Sequence, residues 1–267
     1  KMDFLGLRNL TFVQKMQELL AESEGIHLKI EEIDLEDKET LALFASGNTK
    51  GIFQFEQPGA FRLLKRVQPV CFEDVVATTS LNRPGASDYI NNFVARKHGQ
   101  EEVTVLDPAL EDILAPTYGI MLYQEQVMQV AQRFAGFSLG KADILRRAMG
   151  KKDASAMHEM RASFIQGSLE AGHTAEKAEQ VFDVMEKFAG YGFNRSHAYA
   201  YSALAFQLAY FKTHYPAIFY QVMLNSVNSD YLTDALEAGF EVAPLSINTI
   251  PYHDKIANKS IYLGLKS

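Results

Sequence analysis

A single cysteine, Cys71, is the only thiol in this 267-residue chain. An internal disulfide needs two thiols, and a thiolate zinc or iron–sulfur centre needs several, so neither is available. A reducing cytoplasm suits such a chain. No run approaches the ~18–20 consecutive apolar residues of a membrane-spanning helix, and nothing resembles a signal peptide, so no membrane partner is expected. The chain also lacks a Gly-rich Walker loop, a G-x-S-x-G elbow and an H-E-x-x-H helix, which leaves hydrolase and metalloprotease readings unsupported. Seven histidines occur, none paired at metal-ligand spacing along a helix. Fixed-period repeats and low-complexity stretches are missing too. What remains is an ordinary globular composition, 47% apolar and 22% charged. The chain opens on Lys1 rather than Met, in sequence that already reads as structured, which fits a stretch excised from a longer protein.

Positive charge is short overall, with a net charge of −7, and a nucleic-acid partner is at first disfavoured. The distribution changes that reading. Residues 1–60 hold six cations against eleven acids, whereas residues 61–100 and 141–161 each hold six cations against three acids. Two local basic clusters therefore sit inside an acidic chain, and a phosphate site requires only local potential.

Helical punctuation dominates. Leu7–Ser23 places Leu10, Val13, Gln17 and Leu20 toward one face and stops at Gly25. Asp37 is placed to cap a helix ending at Gly47, and Pro58 opens one carrying Phe61, Leu64 and Val67. Asp107-Pro108 opens Ala109–Leu114. Gln124–Ala135, Leu139–Met149 and Asp153–Ala171 follow, closed by Gly136, Gly150 and Gly172. Thr174 starts a helix running to Ala189, and His197–His214 is the longest, ended by Tyr215-Pro216, where another begins. Strand signals are confined to Gly51–Phe55, Ile120–Leu122, Phe240–Ala243 and Ser260–Leu263. The expected fold is mainly α with short β pieces, closing in a small mixed α/β C-terminal tail.

Two stretches carry most of the chemistry. In Leu145-Arg146-Arg147-Ala148-Met149-Gly150-Lys151-Lys152, two arginines end a helix, a glycine breaks it and two lysines follow. Guanidinium forks and mobile ammonium groups suit phosphate oxygens, and a turn at Gly150 would let four cations converge. The same pattern equally describes a helix C-terminus whose dipole is complemented by cations. In Gly190 through Tyr201, a glycine-punctuated loop enters a helix N-terminus carrying Arg195, Ser196 and His197. Such an end offers free N–H groups to an anion, and Tyr201 adds a flat face for a base. The bland reading makes Asn194 or Ser196 a helix cap and the tyrosines core. Gln54 in Phe53-Gln54-Phe55-Glu56, Gln124 in Tyr123-Gln124-Glu125-Gln126, and a buried-looking Arg83 in Asn82-Arg83-Pro84-Gly85 are weaker candidates.

Taken together, the chain resembles the family C replicative DNA polymerases, the alpha subunits of bacterial DNA polymerase III. The resemblance rests on Met2 through Leu7, Gly51 through Glu56, Arg83-Pro84-Gly85, Tyr118-Gly119, Tyr123 through Met128, Leu145 through Lys152, Gly190 through His197 and Phe211 through Pro216, in the family's order. It implies that residues 1–8 end a palm domain, 9–230 form a multi-helix fingers domain, and 231–267 lead toward DNA-binding and clamp-binding regions. Asp3 matches one of three palm aspartates that hold two Mg2+ ions for nucleotidyl transfer, and no position matches the other two. Arg146, Arg147, Lys151 and Lys152 fall where the family binds the triphosphate of an incoming dNTP. Arg195, Ser196, His197 and Tyr201 fall nearby, with Gln54, Arg83 and Gln124 in support. Asn82 stands where the family often has tyrosine, so a tyrosine role does not transfer there. The implied partners are primer-template DNA, dNTPs and, in the parent protein, the sliding clamp and other replisome subunits of a bacterial cytoplasm and nucleoid. One matched aspartate implies that the chain alone is inactive. A non-catalytic helical module binding nucleic acid or protein is the competing class.

Overall fold

The computed structural model describes residues 6–83, 85–151, 154–188, 192–226, 230–248 and 250–265. Among these the helices are α1 (Arg8–Glu24), α2 (Lys38–Ser46), α3 (Pro58–Val67), α4 (Phe72–Leu81), α5 (Ile90–Lys97), α6 (Glu111–Leu114) and α7 (Gln124–Ala135). They continue with α8 (Leu139–Lys151), α9 (Ala154–Glu170), α10 (Ala175–Phe188), α11 (Arg195–His214), α12 (Pro216–Ser226) and α13 (Tyr231–Glu237). Three strands follow: β1 (Glu241–Val242), β2 (Lys255–Ala257) and β3 (Ser260–Tyr262). The mainly α class with a small C-terminal β piece is the observed fold.

The chain divides into two compact units, one of Lys1–Phe72 with Ala200–Ser267, the other of Glu73–Tyr199. In the first unit, α1 buries Phe12, Val13, Met16 and Leu20 and packs on α12. Leu10, expected on the inner face, is 54% exposed, because the stripe that packs runs one residue away from it. Asp37 caps α2 by accepting from Thr40 N at 2.9 Å, as its position before the helix predicts. Phe44 meets Phe55 edge-on at 5.3 Å and stacks with Phe206 at 5.9 Å, and Phe206 in turn meets Phe72 at 5.7 Å. This aromatic group anchors the core between α2 and α11. The Gly51–Phe55 stretch forms turns rather than a strand, since Gly51 (φ 80) and Gln54 (φ 65) both adopt left-handed backbone.

The small sheet has the order β1-β3-β2, with β1 parallel and β2 antiparallel to β3. Val242 and Ile256 both register on Ile261. The β2–β3 hairpin turns on Asn258 (φ 48) and Lys259 (φ 65), the doubly left-handed pair that matches strand twist. Strand β2 was not among the expected strands, because Lys255–Ala257 is too short for alternation to register.

Among the described residues of the second unit, a large hydrophobic cluster joins four helices. Phe134, Phe137, Phe164, Phe182, Met185 and Phe188 pack together with Leu145 and Met149, joining α7, α8, α9 and α10. Phe134 and Phe164 stack at 6.0 Å. Helix α8 runs through Gly150 to Lys151, so the expected break at Gly150 does not occur. Glycine weakens a helix interior only modestly, and the packed Leu145, Ala148 and Met149 face carries the helix past it. Residues 120–122 form no strand; Tyr123 and Phe193 instead make an isolated parallel bridge.

Candidate anion-binding site

The site lies in the second unit, where α7, α8 and the start of α11 come together. The chain entering α7 runs beside the segment entering α11, with Gln124 N donating to Phe193 O at 2.8 Å and Phe193 N to Leu122 O at 3.3 Å. Each residue of Tyr123-Gln124-Glu125-Gln126 then has its own task. Tyr123 is buried, and that burial first, then the nearby Glu73, push its phenol pKa up against the opposing pull of Arg195. Gln124 Oε1 receives Arg146 Nη1 at 3.4 Å, while its Nε2 reaches Gly192 O at 3.5 Å. Glu125 accepts from Asn194 Nδ2 at 3.0 Å and Arg195 N at 2.9 Å. Buried Gln126 accepts from Leu122 N at 2.8 Å and Tyr123 N at 2.9 Å, and donates to Thr117 Oγ1 at 2.8 Å and Ile113 O at 3.2 Å. All of its amide valences that matter to a buried group are met, so Gln126 holds the entrance to α7 rather than a ligand.

On α8, Arg146 places Nε and Nη2 on Asp143 Oδ1 at 2.9 and 2.7 Å, and Arg147 Nη2 donates to Asp143 Oδ2. Hydrogen bonds from Arg146, then Arg147, hold the Asp143 carboxyl below the usual aspartate range. Lys151 is exposed at the end of the same helix. Because the helix continues through Gly150, Arg147 and Lys151 stand one turn apart on it instead of meeting across a bend. Lys152 lies outside the described residues.

At the start of α11 the helix end is already capped by this chain. Asn194 Oδ1 accepts from His197 N at 2.8 Å, and Glu125 takes Arg195 N. The free N–H groups expected there are therefore partly engaged, and Asn194 is a helix cap. Arg195 pairs with Glu73, and its guanidinium carbon lies 5.9 and 5.8 Å from the ring centroids of Tyr123 and Tyr199. Ser196 and His197 are exposed, and His197 meets Phe193 edge-on at 5.5 Å. Arg83, expected to be buried, is exposed, with its guanidinium 4.0 Å above the Phe193 ring. A guanidinium over an aromatic face keeps its N–H edge in water, which burial would deny it. The structure thus brings Arg146, Gln124 and Arg83 to the Gly192–Arg195 segment, with Arg147 joined to Arg146 through Asp143.

Gln54 and Tyr201 belong to the first unit. Gln54 is exposed, and half-buried Tyr201 lies 5.3 Å from the Phe53 ring. A cleft of about 860 Å3 in that unit is lined by Lys50 and Lys65 but also by Glu56, Asp230, Asp234 and Glu237, a mixed wall unsuited to a polyanion. Asp3, Pro84, Gly190 and Tyr191 lie outside the described residues. Sequence reasoning missed the carboxylates Glu73 and Asp143 and met Glu125 only as part of a weak motif. The spacing of Asp143 to Arg146 and Arg147 carried a signal, and nothing local marked Glu73.

The sequence profile of the bacterial DNA polymerase III alpha subunit finger domain matches residues 9–172. The chain belongs to the bacterial DNA polymerase III alpha subunit family. It is 65% identical over its full 267 residues to a DNA polymerase III subunit alpha of Streptococcus pyogenes, and covers 26% of that protein. It is 42% identical over 259 residues, 95% of the chain, to the protein of the same name from Halalkalibacterium halodurans, covering 23% of it. Over 278 aligned residues it is 42% identical to the Thermus aquaticus subunit alpha, again covering 23%. The chain therefore spans about a quarter of the length of these curated relatives. Among the described residues, no group of three or more His, Cys, Asp or Glu side chains is placed to hold a metal ion. These described residues do not form a complete magnesium site. No helix among the described residues is long and apolar enough to cross a membrane.

Proposed function

We propose that this chain acts as the fingers of a bacterial replicative DNA polymerase, binding the triphosphate of an incoming dNTP on Arg146, Arg147, Lys151 and Lys152. Arg195, Ser196, His197 and Tyr201 would contact the triphosphate, sugar or base, with Gln54, Arg83 and Gln124 in support. In this reading residues 1–8 end the palm, with Asp3 as one Mg2+ ligand, 9–230 are fingers, and 231–267 lead toward DNA- and clamp-binding regions. The observation that carries the proposal is the contact chain from Arg146 through Gln124 to Gly192, which joins the two basic stretches within one unit. Guanidinium groups held in a fixed array bind phosphate oxygens without reorganising as charge develops on the leaving pyrophosphate. The primer-template, the sliding clamp and the other replisome subunits of the bacterial cytoplasm belong to the same reading. With one matched aspartate, the 267-residue chain alone performs no primer extension.

The test uses the full-length Streptococcus pyogenes alpha subunit with this segment in place of its own. Arg146→Ala and Arg147→Ala are each expected to raise the nucleotide KM or lower kcat by at least about tenfold, the loss of one or more charge-assisted hydrogen bonds. Near-normal extension kinetics in both variants would remove the phosphate assignment. Binding of DNA that ignores both Mg2+ and dNTPs would favour a non-catalytic helical module instead.

A further inference from the structure

The proposed phosphate-binding arginines are not independent side chains. Arg146 commits Nε and Nη2 to one oxygen of Asp143 and Nη1 to Gln124, while Arg147 commits Nη2 to the other oxygen. A guanidinium has five N–H donors. Among the described residues, Arg146 therefore keeps two for a ligand and Arg147 keeps four. Asp143 and Arg146 are both half-buried, at 24% and 31% exposed, while Arg147 at 66% presents its remaining donors to solvent.

We propose that Asp143 is a positioning residue for nucleotide binding, a single carboxylate that gathers Arg146 and Arg147 into one phosphate-facing array and ties that array to the Gly192 segment through Gln124. The inference rests on the phosphate reading of the arginines. Two effects of Asp143 oppose each other. Its negative charge repels a triphosphate, but the two guanidinium groups paired to it offset that charge locally. Against this, Asp143 fixes two long side chains that otherwise lose rotamer freedom on meeting the ligand. Two arginines pre-ordered outweigh one offset charge, so removing the carboxylate weakens nucleotide binding even though the surroundings become more positive.

The experiment compares Asp143→Ala, Asp143→Asn, Arg146→Ala and the double variant Asp143→Ala/Arg146→Ala in the same full-length chimera. Asp143→Ala is expected to raise the nucleotide KM about fivefold to tenfold, with kcat within about twofold and primer-template affinity unchanged. Asp143→Asn keeps the shape and one acceptor while deleting the charge, and falls between it and the parent. The double variant is expected to be worse than Arg146→Ala by less than the full Asp143→Ala effect, because the part that runs through Arg146 is already lost and only the Arg147 part remains. A KM that is unchanged or lower in both Asp143 variants, while Arg146→Ala raises it, overturns the positioning role and leaves the phosphate reading standing. If Arg146→Ala and Arg147→Ala also leave KM unchanged, it is the phosphate reading that fails, and the role of Asp143 falls with it. Additive effects in the double variant likewise count against the proposal.

Discussion

Replacing Lys212 by Met should be among the most damaging single changes in the first unit. Helix α11 carries this lysine into the core, where its side chain is only 5% exposed. Its ammonium donates to Asn48 O at 3.1 Å, Lys50 O at 2.9 Å and Asp234 Oδ2 at 2.7 Å. Tyr220 OH donates to the same carboxylate oxygen at 2.8 Å. Burial lowers the Lys212 pKa and the Asp234 charge works against that shift, the pattern of a desolvated ion that survives through its partner. Methionine fills similar volume but leaves the Asp234 carboxylate, 15% exposed, without its cation and strands two carbonyls of the Asn48–Lys50 turn. Breaking a buried pair from one side costs about 3–5 kcal/mol. Urea denaturation of the 267-residue chain checks this. Lys212→Met should lose that amount, and Lys212→Met/Asp234→Leu should recover much of it, since the orphaned charge is gone. A loss below about 1 kcal/mol for the single variant would refute the argument, because the pair would then be solvated rather than buried.

Two further outcomes follow from local geometry. A Cβ added at Gly167 would lie 2.2 Å from the carbonyl oxygen of Ala135, so Gly167→Ala must push α9 off α7 and should cost about 1–3 kcal/mol in thermal unfolding; an unchanged Tm would show that the helices do not approach this closely. At Asp37, burial draws the carboxyl pKa up, but hydrogen bonds from the Thr40 hydroxyl, His214 and Thr40 N outweigh it and hold the folded value below the usual one. The unfolded chain then binds the proton first, so the stability from Asp37 is present above about pH 4 and is lost as pH falls through the folded value. Acid unfolding of the parent should be steeper below about pH 5 than that of Asp37→Asn, and equal slopes would contradict the assignment.

The roles within Tyr123-Gln124-Glu125-Gln126 show how a short motif divides its labour. Gln126 closes the entrance to α7, Glu125 receives the start of α11, and Gln124 links that start to Arg146. Only Gln124 was singled out from sequence, since amides and carboxylates beside aromatics look alike until their partners are in place. The partners of Glu125, and Gly192 opposite Gln124, come from a chain segment about seventy residues away, and sequence spacing carries no information across that distance.

The sequence by itself determined the features whose causes act within a few residues. Asp37 before α2, Pro58 and Pro216 at helix starts, the Gln124–Ala135 helix and the predominance of α structure could all be read locally, because caps and prolines set backbone geometry over one turn. The ordered set of stretches from Met2 to Pro216 likewise marked the family. Tertiary structure alone decided the rest. It carried α8 through Gly150 on packing of its inner face, turned Leu10 outward, and added β2 by pairing it with β3. It also set Glu73 against Arg195, residues 122 positions apart. Propensity is worth tenths of a kcal/mol per residue, while burial and ion pairing between distant segments are worth more, so wherever the two disagreed the packed partners set the outcome.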